Sequence, residues 1–283
     1  MGEYRDDDEF TDPRGRFAAE ARSERPDLSL LCLLLAAVAD PALDEAGMDA
    51  AQIELDRLAG LLPYGTRGPR AWAEALAELL GGREGFHGTP ADYQRLESSL
   101  LPHVLRRRRG LPILLSVVWT EVARRAGAPV YGVALPGHFV VGFGEPGVGE
   151  TVLADPFAGG RLLTGDDAEL LVAGATGAPL DPSMLAPAPA LDVILRILNN
   201  IRAWAGGRPE HSAVALWAID LSLLLPSHPA RLRYERAQLL VQRGDFLTGA
   251  AELDAYAEVL AAVEPSAAEA VRGRARAARA MLN

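Results

Sequence analysis

A long apolar helix that runs directly into short strands is the feature that most constrains the fold of this 283-residue chain. Residues 111–126 repeat apolar side chains at helical spacing, and Gly127 and Pro129 end the helix. Strand-like segments follow at 130–135, 139–143, 151–154 and 161–163. Connections this short join only antiparallel neighbours. The sequence therefore predicts a small antiparallel sheet beside one long helix, an α+β module.

Composition divides the chain into four stretches. Residues 1–25 are acidic and poor in apolar side chains, which predicts a disordered tail. Residues 26–175 are predicted to form one domain, which begins with helices and ends with the sheet. Residues 176–190 are rich in Gly, Ala and Pro and are predicted to be a linker, and 191–283 are helical in pattern. The expected fold is thus α+β: a mainly helical N-terminal part with a small antiparallel sheet, followed by an all-α C-terminal region.

The C-terminal region shows a weak internal repeat. Helices are expected at 191–205, 210–225, 230–243, 246–263 and 266–282. Gly207 and Pro226 are followed by Gly244 and Pro265 at offsets of 37 and 39 residues, near the ~34-residue period of tetratricopeptide (TPR) units. An ordinary helical hairpin is the alternative interpretation. Fewer than three repeats would need support from the first domain, and a concave repeat surface would bind a protein or peptide partner.

Charge and cysteine content restrict the class of protein. The formal net charge of -10 disfavours binding to a nucleic-acid backbone. The run Arg106–Arg109 is interpreted as a solvated helix end, where cations suit the negative pole. The apolar run 30–39 is about half the ~20 residues that a membrane helix needs. A single cysteine, Cys32, excludes an intramolecular disulfide and fits the cytoplasm, where we expect the protein.

Three features in chain order are candidates for chemistry: the helix start after Gly110, then His138, then Asp155. His138 follows a Pro-Gly turn at a strand start, and Asp155 ends a later strand, so antiparallel pairing could bring them together. A carboxylate against one ring nitrogen fixes the tautomer of an imidazole. A nucleophile at a helix N-terminus gains from the helix dipole. This order is typical of a Cys-His-Asp enzyme, although a lone histidine beside a turn is also commonly structural.

No metal or cofactor is expected from the sequence. The histidines show no clustered metal-ligand spacing; they are His87, His103, His138, His211 and His228. No glycine-rich phosphate loop followed by a Gly-Lys-Ser/Thr motif precedes a helix.

Four motifs, at 109–113, 121–129, 135–139 and 155–163, make this sequence similar to a known family. With Gly85-Phe86-His87-Gly88 and Tyr93 upstream and the repeat region downstream, they resemble the bacterial family described as regulators of sirC expression, which has transglutaminase-like and TPR domains. The resemblance covers most of residues 28–283. It implies a papain-like transglutaminase core followed by TPR-type helices.

The resemblance also bears on activity. In active members of the wider superfamily, a cysteine that opens the core helix is the nucleophile, and the motifs place Pro112 in that position. The sole thiol, Cys32, lies in an apolar run instead. Ser98 and Gly142 stand where other members commonly carry Asn and Arg, which puts a shared ligand site in doubt. The resemblance therefore implies the fold and argues against the usual activity.

Three hypotheses follow. In the first, the protein is non-catalytic and binds a protein or peptide, with His138 and Asp155 kept as a polar strut or ligand pocket. In the second, it is an amide hydrolase or acyltransferase that uses Ser116, one helical turn (~6 Å) after Pro112, with His138 and Asp155. In the third, it is a structural scaffold in which backbone groups bury His138. Nothing in the sequence indicates DNA binding, since it shows no recognition helix with a basic face, so any regulation of transcription would act through a protein partner.

Overall fold

The structure is a computed structural model that describes residues 12–282. The first helices are α1 (Pro13–Ala21), α2 (Leu28–Ala39), α3 (Glu45–Gly60), α4 (Pro69–Leu76), α5 (Leu101–Arg107) and α6 (Pro112–Arg125). The strands are β1 (Val130–Val133), β2 (Val140–Glu145), β3 (Val148–Asp155) and β4 (Arg161–Leu163). The last helices are α7 (Gly165–Thr176), α8 (Ala190–Ala205), α9 (Ser212–Leu224), α10 (Arg231–Gln242), α11 (Phe246–Ala261) and α12 (Pro265–Ala280). The predicted fold class is confirmed.

Helix α6 is the centre of the N-terminal part. Proline suits the first turn of a helix because its φ is already helical and its missing N–H has no acceptor there, and Pro112 occupies that position. Gly127, with φ of +84°, makes the left-handed turn that ends the helix. Between them almost every side chain is buried, including Trp119, because α3, β1 and β2 all pack against this helix.

The four strands form one antiparallel sheet in the order β1-β2-β3-β4, which is the predicted meander. Val141 in β2 pairs with Ala154 in β3, and Asp155 pairs with Arg161 in β4. The start of β2 and the end of β3 therefore lie side by side. This register brings the two residues before β2, His138 and Phe139, to the same end of the sheet as Asp155, the last residue of β3.

The N-terminal stretch differs from the disorder predicted for residues 1–25. Residues 1–11 lie outside the described part, but residues 13–21 form α1. Phe17 is fully buried, since α1 packs against α2 and α9. Arg14 pairs with Asp220 at 3.0 Å, and Arg16 pairs with Glu45 at 2.6 Å. One aromatic anchor thus orders a segment whose overall composition indicates disorder.

Residues 176–190 pack on the sheet instead of forming a free linker. The Ala188 N–H donates to Gly132 O at 2.9 Å, and Leu180 and Met184 pack on the cluster that contains Val133. The main core also continues past the boundary expected at residue 190. Helices α8 and α9 contribute to it, whereas α10–α12 form a smaller cluster of their own.

The C-terminal helices agree with the predicted ranges to within two residues at each end. Their first pair is anchored in the main core, so the repeat-like region has the support that so short an array requires. Among residues 12–282, no helix has both the length and the apolar content needed to cross a membrane.

Phe17→Ala tests the packing of α1. Because this side chain is fully buried, we expect the free energy of unfolding to fall by about 3–5 kcal/mol in urea titrations. The control is Tyr64→Ala, an aromatic residue that is fully exposed, for which we expect less than about 0.5 kcal/mol. A loss at Phe17 as small as the control would show that α1 is not packed.

Candidate functional site

His138 and Asp155 meet at the end of the sheet, as their positions in the sequence suggested. A turn at Gly137, with φ of +71°, places His138 just before β2. His138 Nε2 lies 3.0 Å from Asp155 Oδ1, and the two side chains are only 13% and 8% exposed. The structure therefore brings two of the three predicted site residues together in a nearly dry environment.

The contact between them is close, but it is not a hydrogen bond. The ring N–H direction is not aligned with the carboxylate, and the buried Nε2 atom has no hydrogen-bond partner. Asp155 Oδ1 instead accepts a hydrogen bond of 2.9 Å from the Phe157 N–H, because Asp155 caps the short 3-10 turn Pro156–Ala158. This carboxylate therefore shapes the chain after β3 as well as contacting the imidazole.

Ser116 is the third predicted site residue, and its hydroxyl contacts the backbone. Its Oγ donates to Phe139 O at 3.2 Å, and the side chain is fully buried. Pro112, one turn earlier, is also buried and supplies no hydroxyl or thiol. Among residues 12–282, no hydroxyl or thiol forms a hydrogen bond with the His138 ring. Cys32 is distant in sequence and buried in α2, and burial raises the pKa of its thiol.

Glycines hold the turn after Asp155 in place. Gly159 and Gly160 have φ of +68° and +87°, which glycine adopts without strain. A Cβ on Gly88 would lie 2.0 Å from the Phe157 ring, and the Gly88 N–H donates to Phe157 O at 2.9 Å. Two motifs that are far apart in sequence therefore interlock, and their contact fixes the position of Phe157.

Phe157 forms an aromatic wall beside the pair. Its ring packs edge-on against His138, with centroids 6.1 Å apart, and against Tyr93, with centroids 6.0 Å apart. Burial and the nearby charge of Asp155 raise the pKa of the Tyr93 hydroxyl. Tyr93 is thus part of the same electrostatic environment, a role that only the resemblance, and no spacing rule, indicated.

Arg196 is a site residue that the sequence analysis missed. Its Nη2 donates to Leu135 O and to His138 O, each at 2.7 Å, and its guanidinium lies 5.5 Å from the Phe139 ring centroid. Burial lowers the pKa of this guanidinium. Because Arg196 belongs to α8, 58 residues after His138, no local pattern indicated that it reaches back to the turn.

Three of the four arginines in the run 106–109 form ion pairs, whereas Arg106 is exposed and contacts only His103, as a solvated helix end would. Arg107 and Arg109 contact the buried Asp92 at 3.3 and 3.4 Å. Burial acts to raise the pKa of Asp92, but hydrogen bonds from Thr89 and the charge of Arg109 lower it overall. The third member, Arg108, pairs with acidic side chains of α3 and of the turn after α4. Little of this positive charge is left for an external ligand.

A groove runs along the C-terminal helices. This helical groove, with a volume of ≈ 440 Å³, lies between α8, α9 and α10. Its lining combines apolar and amide side chains, among them Asn199, Ile219, Leu239, Gln238 and Gln242. Among residues 12–282, no cluster of three or more His, Cys, Asp or Glu side chains is arranged to bind a metal ion.

Two known protein families match successive parts of the chain. The profile of the transglutaminase-like superfamily matches residues 49–199, and that of the tetratricopeptide repeat matches residues 201–283. The first match ends within α8, so the family boundary also falls inside the main core and not in the predicted linker. The resemblance to a protein with these two kinds of domain is therefore confirmed.

Individual relatives cover part of the chain. A UPF0162 protein of Xylella fastidiosa is 34% identical over 175 residues, 60% of this chain and 61% of that protein. F-box only protein 21 of Mus musculus is 25% identical over 166 residues, 56% of this chain and 26% of that protein. The match thus spans less than two thirds of either relative's length. A crystal structure of menin aligns at 14% identity with a TM-score of 0.44, over 94% of this chain and 70% of that chain.

Pro112→Cys tests whether the first turn of α6 faces His138. We expect a thiol there to titrate at a lower pKa than a thiol at the equally buried position 116, because the helix dipole stabilises a thiolate at the first turn and a hydrogen bond from the His138 ring would stabilise it further. Adding His138→Gln should raise that pKa by about one unit or more. Thiolate absorbance at 240 nm against pH reports the titration. The wild-type background is low, since burial raises the pKa of Cys32.

Ser116→Cys is the matched control for this titration. A thiol at this buried position would point at Phe139 O, so we expect its pKa to lie above ~8.5. A Pro112→Cys thiol that titrates identically with and without His138 would show that residue 112 does not occupy the nucleophile position.

Proposed function

The chain belongs to the transglutaminase-like superfamily, and from that premise we propose that it acts as a non-catalytic module that binds a protein or peptide. The two matched families support an interaction or regulatory role. In this proposal the core is a scaffold, and the C-terminal helices supply the binding surface. A bacterial, cytoplasmic setting and an effect on sirC expression through a protein partner belong to the same proposal.

The observation that carries this proposal is Pro112 at the first turn of α6. Nucleophilic catalysis requires an ionisable or hydroxyl side chain within reach of its base. Proline supplies neither, and its buried ring occupies the position where the superfamily resemblance expects a cysteine. The base and its carboxylate remain as a buried contact of 3.0 Å. They would serve as a strut that fixes the end of the sheet.

The helical groove is the proposed partner surface. Asn199, Gln238 and Gln242 offer amide groups that can pair with the backbone of an extended peptide, and Ile219 and Leu239 offer apolar contact. Arg202 and Glu235 form an ion pair at its edge, which leaves the groove without a large net charge. Such a surface favours recognition through backbone hydrogen bonds and apolar side chains.

The alternative is an amide hydrolase or acyltransferase that uses Ser116 with His138 and Asp155. The close approach of His138 to Asp155 favours it. The Ser116 hydroxyl would first have to leave Phe139 O and turn toward the imidazole. A nucleophile displaced by a full turn seldom retains attack geometry. We therefore place this activity second.

Selection from a random peptide display library tests the proposed function. We expect the full-length chain to enrich peptides whose affinity, measured by fluorescence anisotropy, falls at least tenfold when Gln238→Ala and Gln242→Ala are combined. Ser116→Ala and His138→Gln serve as controls and should leave affinity within twofold. Failure to enrich any peptide, or equal binding by the groove variant, would contradict the proposal.

A further inference from the structure

A second groove, which we call the junction groove, lies where the segment before α5 meets the end of α8. Its volume is ≈ 310 Å³. The lining residues that matter here are Tyr93, Arg95, Leu111, Asn200, Trp204 and Arg208. Ala203 of α8 borders both this groove and the helical groove. A chain bound along α8 could therefore contact both.

The junction groove is lined by two arginines and by no carboxylate. Arg208 donates to Gln94 Oε1 at 3.1 Å, and its guanidinium lies 5.8 Å from the Trp204 ring centroid, so both of these contacts are with neutral groups. Arg95 is exposed and forms no ion pair among the described residues. Among the described residues, neither guanidinium group of the groove forms an ion pair, although the chain has a net charge of -10.

Two further features make this groove suited to an anionic group. Trp204 stacks on His211 with centroids 4.2 Å apart, and its buried Nε1 donor has no hydrogen-bond partner. Leu111 is the N-cap of α6, and no side chain caps that helix. The positive pole of α6 therefore lies near one wall of the groove, although the Leu111 N–H itself donates to Ser98 O at 3.0 Å. Guanidinium groups and the positive pole of a helix both favour acceptor oxygens that carry negative charge.

We propose that the junction groove binds an acidic peptide segment of a partner protein, with carboxylates against Arg95 and Arg208 and a backbone amide against Asn200. A peptide fits better than a free anion because the lining also offers the Asn200 amide and the apolar side chains of Leu111 and Ala203 beside the two arginines. The aromatic faces of Tyr93 and Trp204 would cover the aliphatic part of the bound side chains. This inference shares with the proposed function only the expectation that the partner is a protein or peptide. The residues that support it line the junction groove and not the helical groove.

The test uses two fluorescein-labelled octapeptides, one of alternating Glu and Gly and one of alternating Gln and Gly. With the full-length chain at low salt, we expect the Glu peptide to bind at least tenfold more tightly by fluorescence anisotropy. Combining Arg95→Gln with Arg208→Gln should abolish that preference. Raising the salt concentration should weaken binding, because exposed charges are screened within about 10 Å at 0.1 M salt.

The matched control combines Arg67→Gln with Arg233→Gln. Both arginines are exposed and lie outside the junction groove, so the pair removes the same charge. Equal loss in this control would show a nonspecific charge effect and overturn the proposal. The proposal would also be overturned if the Glu peptide did not bind at millimolar concentration, or if an equal concentration of inorganic phosphate displaced it. Gln238→Ala with Gln242→Ala should leave Glu-peptide affinity within twofold, so failure here is distinguishable from failure of the proposed function.

Discussion

The burial of α6 from its first residue is the constraint on which the rest of the structure depends. Pro112 begins the helix, Ser116 is held on Phe139 O one turn later, and Trp119 fills the core beyond. Helices and strands pack closely around α6. A shift of the helix by one turn would therefore leave cavities at some core positions and cause steric clashes at others. In the proposed function, the residue at this fixed first position decides whether His138 has a nucleophile to activate.

A second constraint ties the two parts of the chain together. Arg196 of α8 donates to the carbonyls of Leu135 and His138, which frame the turn before β2. Helices α8 and α9 also share the main core. The repeat-like helices are thus joined to the end of the sheet, and a partner bound along α8 would contact the element that fixes His138. This connection supports the proposed role in binding a partner.

Local patterns predicted much of the fold, because the periodicity of helices and strands and the residues that favour turns can be recognised within short segments of sequence. They gave α6, the antiparallel meander and five C-terminal helices, and the meander in turn brought His138 to Asp155. They missed α1, where a single Phe17 outweighs a polar composition, and the packing of residues 176–190 on the sheet. They also missed Arg196 and the direction of the Ser116 hydroxyl. Each of these depends on contacts between residues far apart in sequence, which no periodicity encodes.

The most direct test of the central claim is acyl trapping with p-nitrophenyl acetate, read by intact mass and peptide mapping. The sequence contains no lysine, so side-chain amines cannot give a false acetyl adduct. The account predicts that the full-length chain acquires no more acetyl groups than the Ser116→Ala variant. An acetyl group on Ser116 that disappears in the His138→Gln variant would show an activated hydroxyl and contradict the account.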